Sequence, residues 1–124
     1  MPITLATLAQ ATPQEVFDQV ATHLLWQNQK AKKEDTGGCQ YRGMNGTMCA
    51  AGCLIGDGEY NPDWEVFASA IGGGWRTLVN QGIVPSYHKE LIGSLQGVHD
   101  GYDPCLWKEK LVQVASQYDL VWKH

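Results

Sequence analysis

The sequence predicts an α+β fold: a mostly helical single domain, residues 1–124, with one small β-hairpin near residues 39–50. Apolar residues recur at three- and four-residue spacing in several segments, as on the core-facing side of amphipathic helices. A capping residue followed by proline, which is a helix-start signal, also recurs along the chain. Short runs on both sides of Asn45-Gly46 predict the hairpin, because this pair favours a primed turn.

The first helix is predicted to start at Thr12 and to run to about Lys32. Thr12 and Glu15 form a capping box, and Pro13 stands at the first helical position. A core-facing stripe follows, consisting of Val16, Phe17, Val20, Ala21 and Leu24. Lysines near the predicted end suit the negative pole of the helix dipole.

Two short strands, Cys39–Arg42 and Thr47–Ala50, are predicted to pair across the Asn45-Gly46 turn. The next segment, CAAGCLI at 49–55, is compatible with a buried strand or with one to two turns of helix. The sequence favours the helix, in which Cys49 and Cys53 share a face.

Further helices are predicted downstream from cap-plus-proline signals and apolar stripes. The first of them starts at Asn61-Pro62-Asp63 and stops at Gly72-Gly73-Gly74, and a short helix through Leu78 and Val79 then ends near Gly82. The next runs from Pro85-Ser86 to Gly101. The last starts at Asp103-Pro104, and its apolar stripe consists of Trp107, Leu111, Val114, Ala115 and Tyr118. Trp75 follows the glycines, where an aromatic residue serves as a lid or, more commonly, fills the core.

Composition narrows the class of protein. Hydrophobic residues make up 44% of the chain, and no apolar run approaches the roughly 20 residues of a membrane helix. The first dozen residues lack the features of a secretory signal, so we expect a soluble cytosolic protein without a membrane partner. A net charge of -4 argues against general nucleic-acid binding, which needs a basic surface.

Cys39, Cys49 and Cys53 form the first candidate site, with the spacing C-x9-C-x3-C. This spacing lacks the two-residue knuckle of common zinc sites, and free cysteine packs well as a small apolar residue. We therefore favour the interpretation that these cysteines are buried core residues without a metal ion. Zinc held by these three residues with His99, His88 or Cys105 is an alternative, and thiol chemistry is another.

His99 and Asp100 form the second candidate, at the C-terminal end of a predicted helix. The helical register directs the His99 ring toward the core. Cys39 or Cys49 with His99 and Asp100 would make the nucleophile, base and orienting carboxylate of a thiol enzyme. A structural histidine that is hydrogen-bonded to backbone or to a buried hydroxyl is favoured over this arrangement.

Tyr41 and Arg42 on the hairpin, with Asp57, Glu59 and Tyr60 after the cysteines, form the third candidate. Arginine binds carboxylates and phosphates through two parallel hydrogen bonds, and tyrosine can stack on rings and donate a hydrogen bond from its hydroxyl. These residues are candidates for binding an anionic small molecule. An Arg42–Asp57 pair that ties the hairpin to the loop is slightly favoured over this interpretation.

Three stretches resemble a family of small proteins encoded by tailed bacteriophages and prophages: CQYRGMNGTMCAAGCLIGDGEY, LQGVHD from Leu95 to Asp100, and DPCLWKEKLVQVASQYDL. The matching positions are Cys39, Tyr41, Arg42, Gly43, Gly46, Cys49, Ala50, Gly52, Cys53, Leu54, Ile55, Asp57, Tyr60, His99, Asp100 and Trp107. Gly56 departs from the family pattern, where proline is expected. The resemblance implies a phage origin and no particular activity.

The sequence contains no phosphate-binding glycine loop with Lys, no HExxH, no GxSxG and no EF-hand loop. We therefore expect a non-enzymatic phage accessory protein in the host cytosol, without a cofactor. It would bind a host protein or a small anionic or nucleotide defence signal through Tyr41, Arg42, Asp57, Tyr60, His99 and Asp100. The alternatives are a thiol enzyme that uses Cys39 or Cys49 with His99 and Asp100, and a zinc-stabilised interaction module.

Overall fold

The computed structural model describes residues 2–32, 40–65 and 74–124, and these ranges are mainly helical. The α-helices are α1 (Pro13–Gln27), α2 (Trp75–Asn80), α3 (Lys89–Gly101) and α4 (Trp107–Gln117). Shorter 3-10 helices span Leu5–Gln10, Met44–Gly46, Gly52–Leu54 and Pro104–Leu106. Within the described helices, none is both long enough and apolar enough to cross a membrane.

Helix α1 begins as the capping box predicts. The Thr12 hydroxyl accepts from the Glu15 N–H, and the Glu15 carboxylate accepts from the Thr12 N–H at 2.8 Å. The predicted end at Lys32 is wrong, because the helix ends at Gln27. Asn28 adopts the left-handed conformation, φ 51 and ψ 32, which terminates a helix as a C-cap.

Helix α3 lies at the centre of the molecule and packs against α1, α2 and α4. The apolar stripes that the sequence predicts for α1, α3 and α4 all face the core. Their buried members are Val16, Phe17, Val20, Ala21 and Leu24 from α1, Leu91, Ile92, Leu95 and Val98 from α3, and Trp107, Leu111, Val114 and Ala115 from α4. Helical periodicity therefore identified the core face of each element.

The predicted β-hairpin near residues 39–50 is wrong, and so is the α+β class. Across residues 2–32, 40–65 and 74–124 there is no β-strand and no sheet. The chain does reverse at Asn45 and Gly46, which both have positive φ, and an isolated antiparallel bridge pairs Arg42 with Met48. Met44–Gly46 forms a 3-10 turn instead of joining two strands.

Side chains from distant parts of the chain accept hydrogen bonds from backbone N–H groups that would otherwise be available to pair with a neighbouring strand. The two carboxylate oxygens of Glu65 accept from the N–H groups of Tyr41 and Arg42, both at 3.0 Å. The Gln27 side chain accepts from the Met48 N–H at 2.9 Å. Because these donors are already satisfied, the segment gains nothing from extending the bridge into a ladder.

The segment after the reversal is helical, as predicted. The N–H of Cys53 donates to the Cys49 carbonyl, and Gly52–Leu54 forms a 3-10 turn against α1. Gly52 permits this turn to pack, because a Cβ there would overlap the carbonyl oxygen of Tyr41. Gly43 allows a similar approach, since its Cβ would lie 2.5 Å from the Lys32 nitrogen.

The more common of the two roles considered for Trp75, filling the core, is confirmed. Trp75 is only 2% exposed and fills the core, whereas Trp26 near the end of α1 is 83% exposed. Residues 63–65 are helical, in agreement with the start predicted at Asn61-Pro62-Asp63. The rest of that helix, its stop at Gly72 and Gly73, and Cys39 lie outside the described residues.

Candidate functional site

The turn that carries Cys49 and Cys53, residues 49–55, is largely buried, and we call it the cysteine corner. Cys49 is fully buried, and its sulfur accepts from the Gly52 N–H at 3.3 Å. The Cys53 thiol, which is partly exposed, donates to the Ala50 carbonyl at 3.1 Å. Burial raises the pKa of Cys49 well above its usual value and that of Cys53 to about 12. Both thiols therefore remain protonated at neutral pH, the unreactive form for nucleophilic attack and for metal binding.

The residues proposed for a metal or thiol centre converge only in part. Cys49 and Cys53 share one turn, and Cys105 is exposed at the start of the last helical region. Among the side chains that the structure describes, no group of three or more His, Cys, Asp or Glu residues is arranged to hold a metal ion.

His99 is fully buried, as its register predicts, and both ring nitrogens are engaged. Nε2 lies 3.0 Å from the Ala31 nitrogen and accepts its N–H, so this nitrogen carries no proton. The proton is on Nδ1, which donates to Asp100 Oδ1 at 2.6 Å. The ring also stacks on Trp107, with the ring centroids 5.5 Å apart. A ring held in this way joins α3 to the segment after α1 and has no free nitrogen for proton transfer.

Asp100 extends this junction to two other parts of the chain. Its carboxylate accepts from Gln96 Nε2 at 3.0 Å, and its carbonyl accepts from Lys30 Nζ at 3.1 Å. Gln96 also accepts from the Ala51 N–H at 2.9 Å, which connects α3 to the cysteine corner. Lys30 places its charge at the C-terminal end of α3, where the helix dipole favours a cation.

Arg42, Asp57 and Tyr60 come together, as the sequence predicts. Arg42 donates to Asp57 Oδ1 at 2.8 Å and to the Ile55 carbonyl at 2.6 Å, and its guanidinium lies 5.2 Å from the Tyr60 ring centroid. Asp57 has 96% of its side chain exposed, against 22% for Arg42. The Tyr60 hydroxyl donates to Glu65. This cluster ties the 3-10 turn to the loop after it.

Tyr41 points away from that cluster and into the core. Its ring meets Trp75 edge to face, with centroids 6.1 Å apart, and the two residues are 5% and 2% exposed. The Tyr41 hydroxyl and the Trp75 indole N–H are buried, and neither has a hydrogen-bond partner among the described residues. Burial raises the pKa of the Tyr41 phenol well above its usual value, so the hydroxyl is neutral.

A groove of about 590 Å³, lined in part by Trp75, lies between α2 and α3. We call it the α2–α3 groove. Its lining residues are Gly74, Trp75, Arg76, Lys89, Glu90, Gly93, Ser94, Gln96, Gly97 and Asp100. Its volume is in the range of small-molecule sites.

Of the binding residues predicted from sequence, Asp100 is the one that lines the α2–α3 groove. The others form the Arg42 cluster or lie in the core. Sequence reasoning missed Arg76 and Lys89, which are exposed and carry no motif. Gly93 and Gly97, four residues apart within an otherwise amphipathic helix, were the signal that would have identified this face.

Comparison of the chain with protein-family models, with curated proteins and with solved structures found no match. The resemblance to phage proteins therefore stays a prediction.

Proposed function

We propose that this protein is a non-enzymatic binding protein that holds a small anionic molecule in the α2–α3 groove. The observation that carries the proposal is Trp75, which lines the groove and whose buried indole N–H, like the hydroxyl of its ring partner Tyr41, has no hydrogen-bond partner in the described residues. A buried polar group without a partner costs about 1–3 kcal/mol. A ligand rich in acceptor atoms would recover that cost after a small displacement of the groups that cover the pair.

Two cationic side chains at the rim, beside the carboxylates of Glu90 and Asp100, supply the contacts that an anionic group of the ligand would need. Arg76 and Lys89 line the groove, and both are exposed. Arg76 pairs with Glu90 at 3.5 Å, with both side chains more than half exposed. Such a pair contributes little, so Arg76 can turn to a phosphate or carboxylate at low cost. Glu90 and Asp100 favour a ligand that also carries hydrogen-bond donors.

The state of the reactive groups supports binding over thiol catalysis. The thiols of Cys49 and Cys53 are protonated, and the Cys49 sulfur is inaccessible. His99 uses both nitrogens for hydrogen bonds within the fold. The resemblance to phage proteins supports a cytosolic accessory role in which the protein sequesters a small host defence signal.

Ligand binding to the native protein tests this proposal by isothermal titration calorimetry and by thermal unfolding. The probes are inorganic phosphate, pyrophosphate, AMP and ADP. We expect at least one probe to bind and to raise Tm, because a ligand of the folded state stabilises it by mass action. Absence of binding by all four probes would overturn the proposal.

A matched pair of lysine variants locates the site. Lys89→Gln should weaken binding about tenfold, the loss of one charge-assisted contact. Lys108→Gln removes the same charge from an exposed position on α4 outside the groove and should leave affinity unchanged. Equal affinities of the two variants would show that the ligand binds elsewhere.

A further inference from the structure

Helix α3 has glycine at two interior positions where the fold has room for a larger residue. Gly93 and Gly97 both line the α2–α3 groove, and a Cβ atom built on either would meet nothing within 4 Å. Glycine inside a helix is less stable than alanine because it loses more backbone entropy on folding. No packing contact within the described chain accounts for this loss of stability.

The two glycines lie about one helical turn apart and leave a strip of helix backbone without side chains in the lining of the groove, flanked by Ser94 and Gln96; we call this strip the floor. Trp75, with its unpaired indole N–H, contributes to the wall. A flat ring can lie in van der Waals contact with such a floor. A methyl group at either position would stand about 1.5 Å above the backbone and lift the ring away from it.

The rim places a positive charge close to this floor. Lys89 precedes Gly93 by four residues, which is about 6 Å along the helix axis. Arg76 lines the same groove from α2. The sugar of a nucleotide spans a distance of this order between its base and its 5′-phosphate, so one molecule can contact both the floor and the rim.

We propose that the ligand is a nucleotide whose base lies flat on Gly93 and Gly97 and whose phosphate faces Arg76 and Lys89. This inference rests on the proposed function and adds the ligand class to it. The base supplies acceptor atoms toward Trp75, and it also offers donor groups to the carboxylates that line the groove.

Calorimetry with AMP and with two probes that lack the base, ribose 5-phosphate and pyrophosphate, tests the inference. AMP should bind at least about tenfold more tightly than either probe. Gly93→Ala should raise Tm yet weaken AMP binding about tenfold, because the added methyl overpacks the site, and it should leave pyrophosphate binding unchanged. Gly101→Ala, on the same helix but outside this groove, is the control and should not alter AMP binding.

The outcomes separate the two proposals. If pyrophosphate binds as tightly as AMP and Gly93→Ala leaves AMP binding unchanged, the nucleotide inference is overturned while anion binding stands. If no probe binds, both proposals fail. A Gly93→Ala variant that loses AMP and pyrophosphate equally overturns the placement of the base on this floor.

Discussion

Replacing Tyr41 by Phe should stabilise the protein. The substitution removes one oxygen atom and keeps the ring that meets Trp75 edge to face. That oxygen is buried and has no hydrogen-bond partner within residues 2–32, 40–65 and 74–124. In the unfolded chain the same hydroxyl is bonded to water, so folding loses a hydrogen bond at this position.

The size of the effect follows from two opposing contributions. Burying a hydroxyl without a partner costs about 1–3 kcal/mol, and Phe avoids this cost. The small void left by the oxygen removes some packing contacts and offsets part of the gain. We expect a net stabilisation of about 1 kcal/mol, which for a domain of this size corresponds to a rise in Tm of about 3–6 °C.

Urea unfolding of Tyr41→Phe and wild type, followed by circular dichroism, measures the change in unfolding free energy. Tyr118→Phe is the matched control, because the Tyr118 hydroxyl bonds the Ser94 hydroxyl at 2.8 Å and donates to the Glu90 carbonyl at 3.1 Å. The control should be destabilised by about 1 kcal/mol. The same change of one oxygen atom is thus expected to act with opposite signs at the two positions.

A Tyr41→Phe protein that is less stable than wild type by about 1 kcal/mol would contradict this prediction, since the hydroxyl would then have a partner in the folded state. The variant also bears on function. If the unpaired donors are retained for a ligand, Tyr41→Phe should gain stability and lose affinity, which is the trade-off found where binding sites are strained or unsatisfied.

Two other substitutions test the fold. Gly52→Ala should destabilise the protein by about 3 kcal/mol, because the new Cβ overlaps the Tyr41 carbonyl oxygen; urea unfolding measures this, and a variant as stable as wild type would contradict the close packing. Glu59→Gln should reduce the loss of folding stability that occurs as the pH is lowered. Partial burial alone would raise the pKa of Glu59, but backbone N–H donors of Gly56, Leu5 and Ala6 outweigh burial and lower it. The carboxylate therefore stabilises the fold above its unfolded pKa, near 4.5, and this contribution is lost as pH falls through the lower folded pKa. The stability difference between wild type and Glu59→Gln should be constant above about pH 5.5 and shrink below about pH 4.5; a difference that does not change with pH would exclude this role.

The helices illustrate how far local information reaches. The capping box at Thr12 and the core face of α1 involve residues within four positions of one another, and both predictions are confirmed. The end of α1 was missed by five residues, because asparagine at 28 terminates the helix without the glycine or proline that marks such a site most clearly. The 3-10 helix Leu5–Gln10 was also missed, since its first N–H groups are capped by Glu59 from more than fifty residues away.

Residues 45–55 show how much residue types alone can predict. Asn45 and Gly46 produce the chain reversal, because these residues tolerate positive φ, and the small residues from Cys49 to Ile55 form a tight buried turn. The presence of a turn followed by a packed corner was readable from residue types. Residue types did not predict that the segments on either side of that turn are not strands.

The remaining features depend on partners that are distant in sequence, so residue types and spacing do not predict them. Glu65 and Gln27 take the backbone donors that a hairpin would have paired, which replaces the predicted strands with an irregular segment. The α2–α3 groove exists because α2 and α3 meet beside Trp75. Periodicity identifies the buried face of each helix, but side-chain packing in three dimensions determines which faces meet and which polar groups stay unpaired.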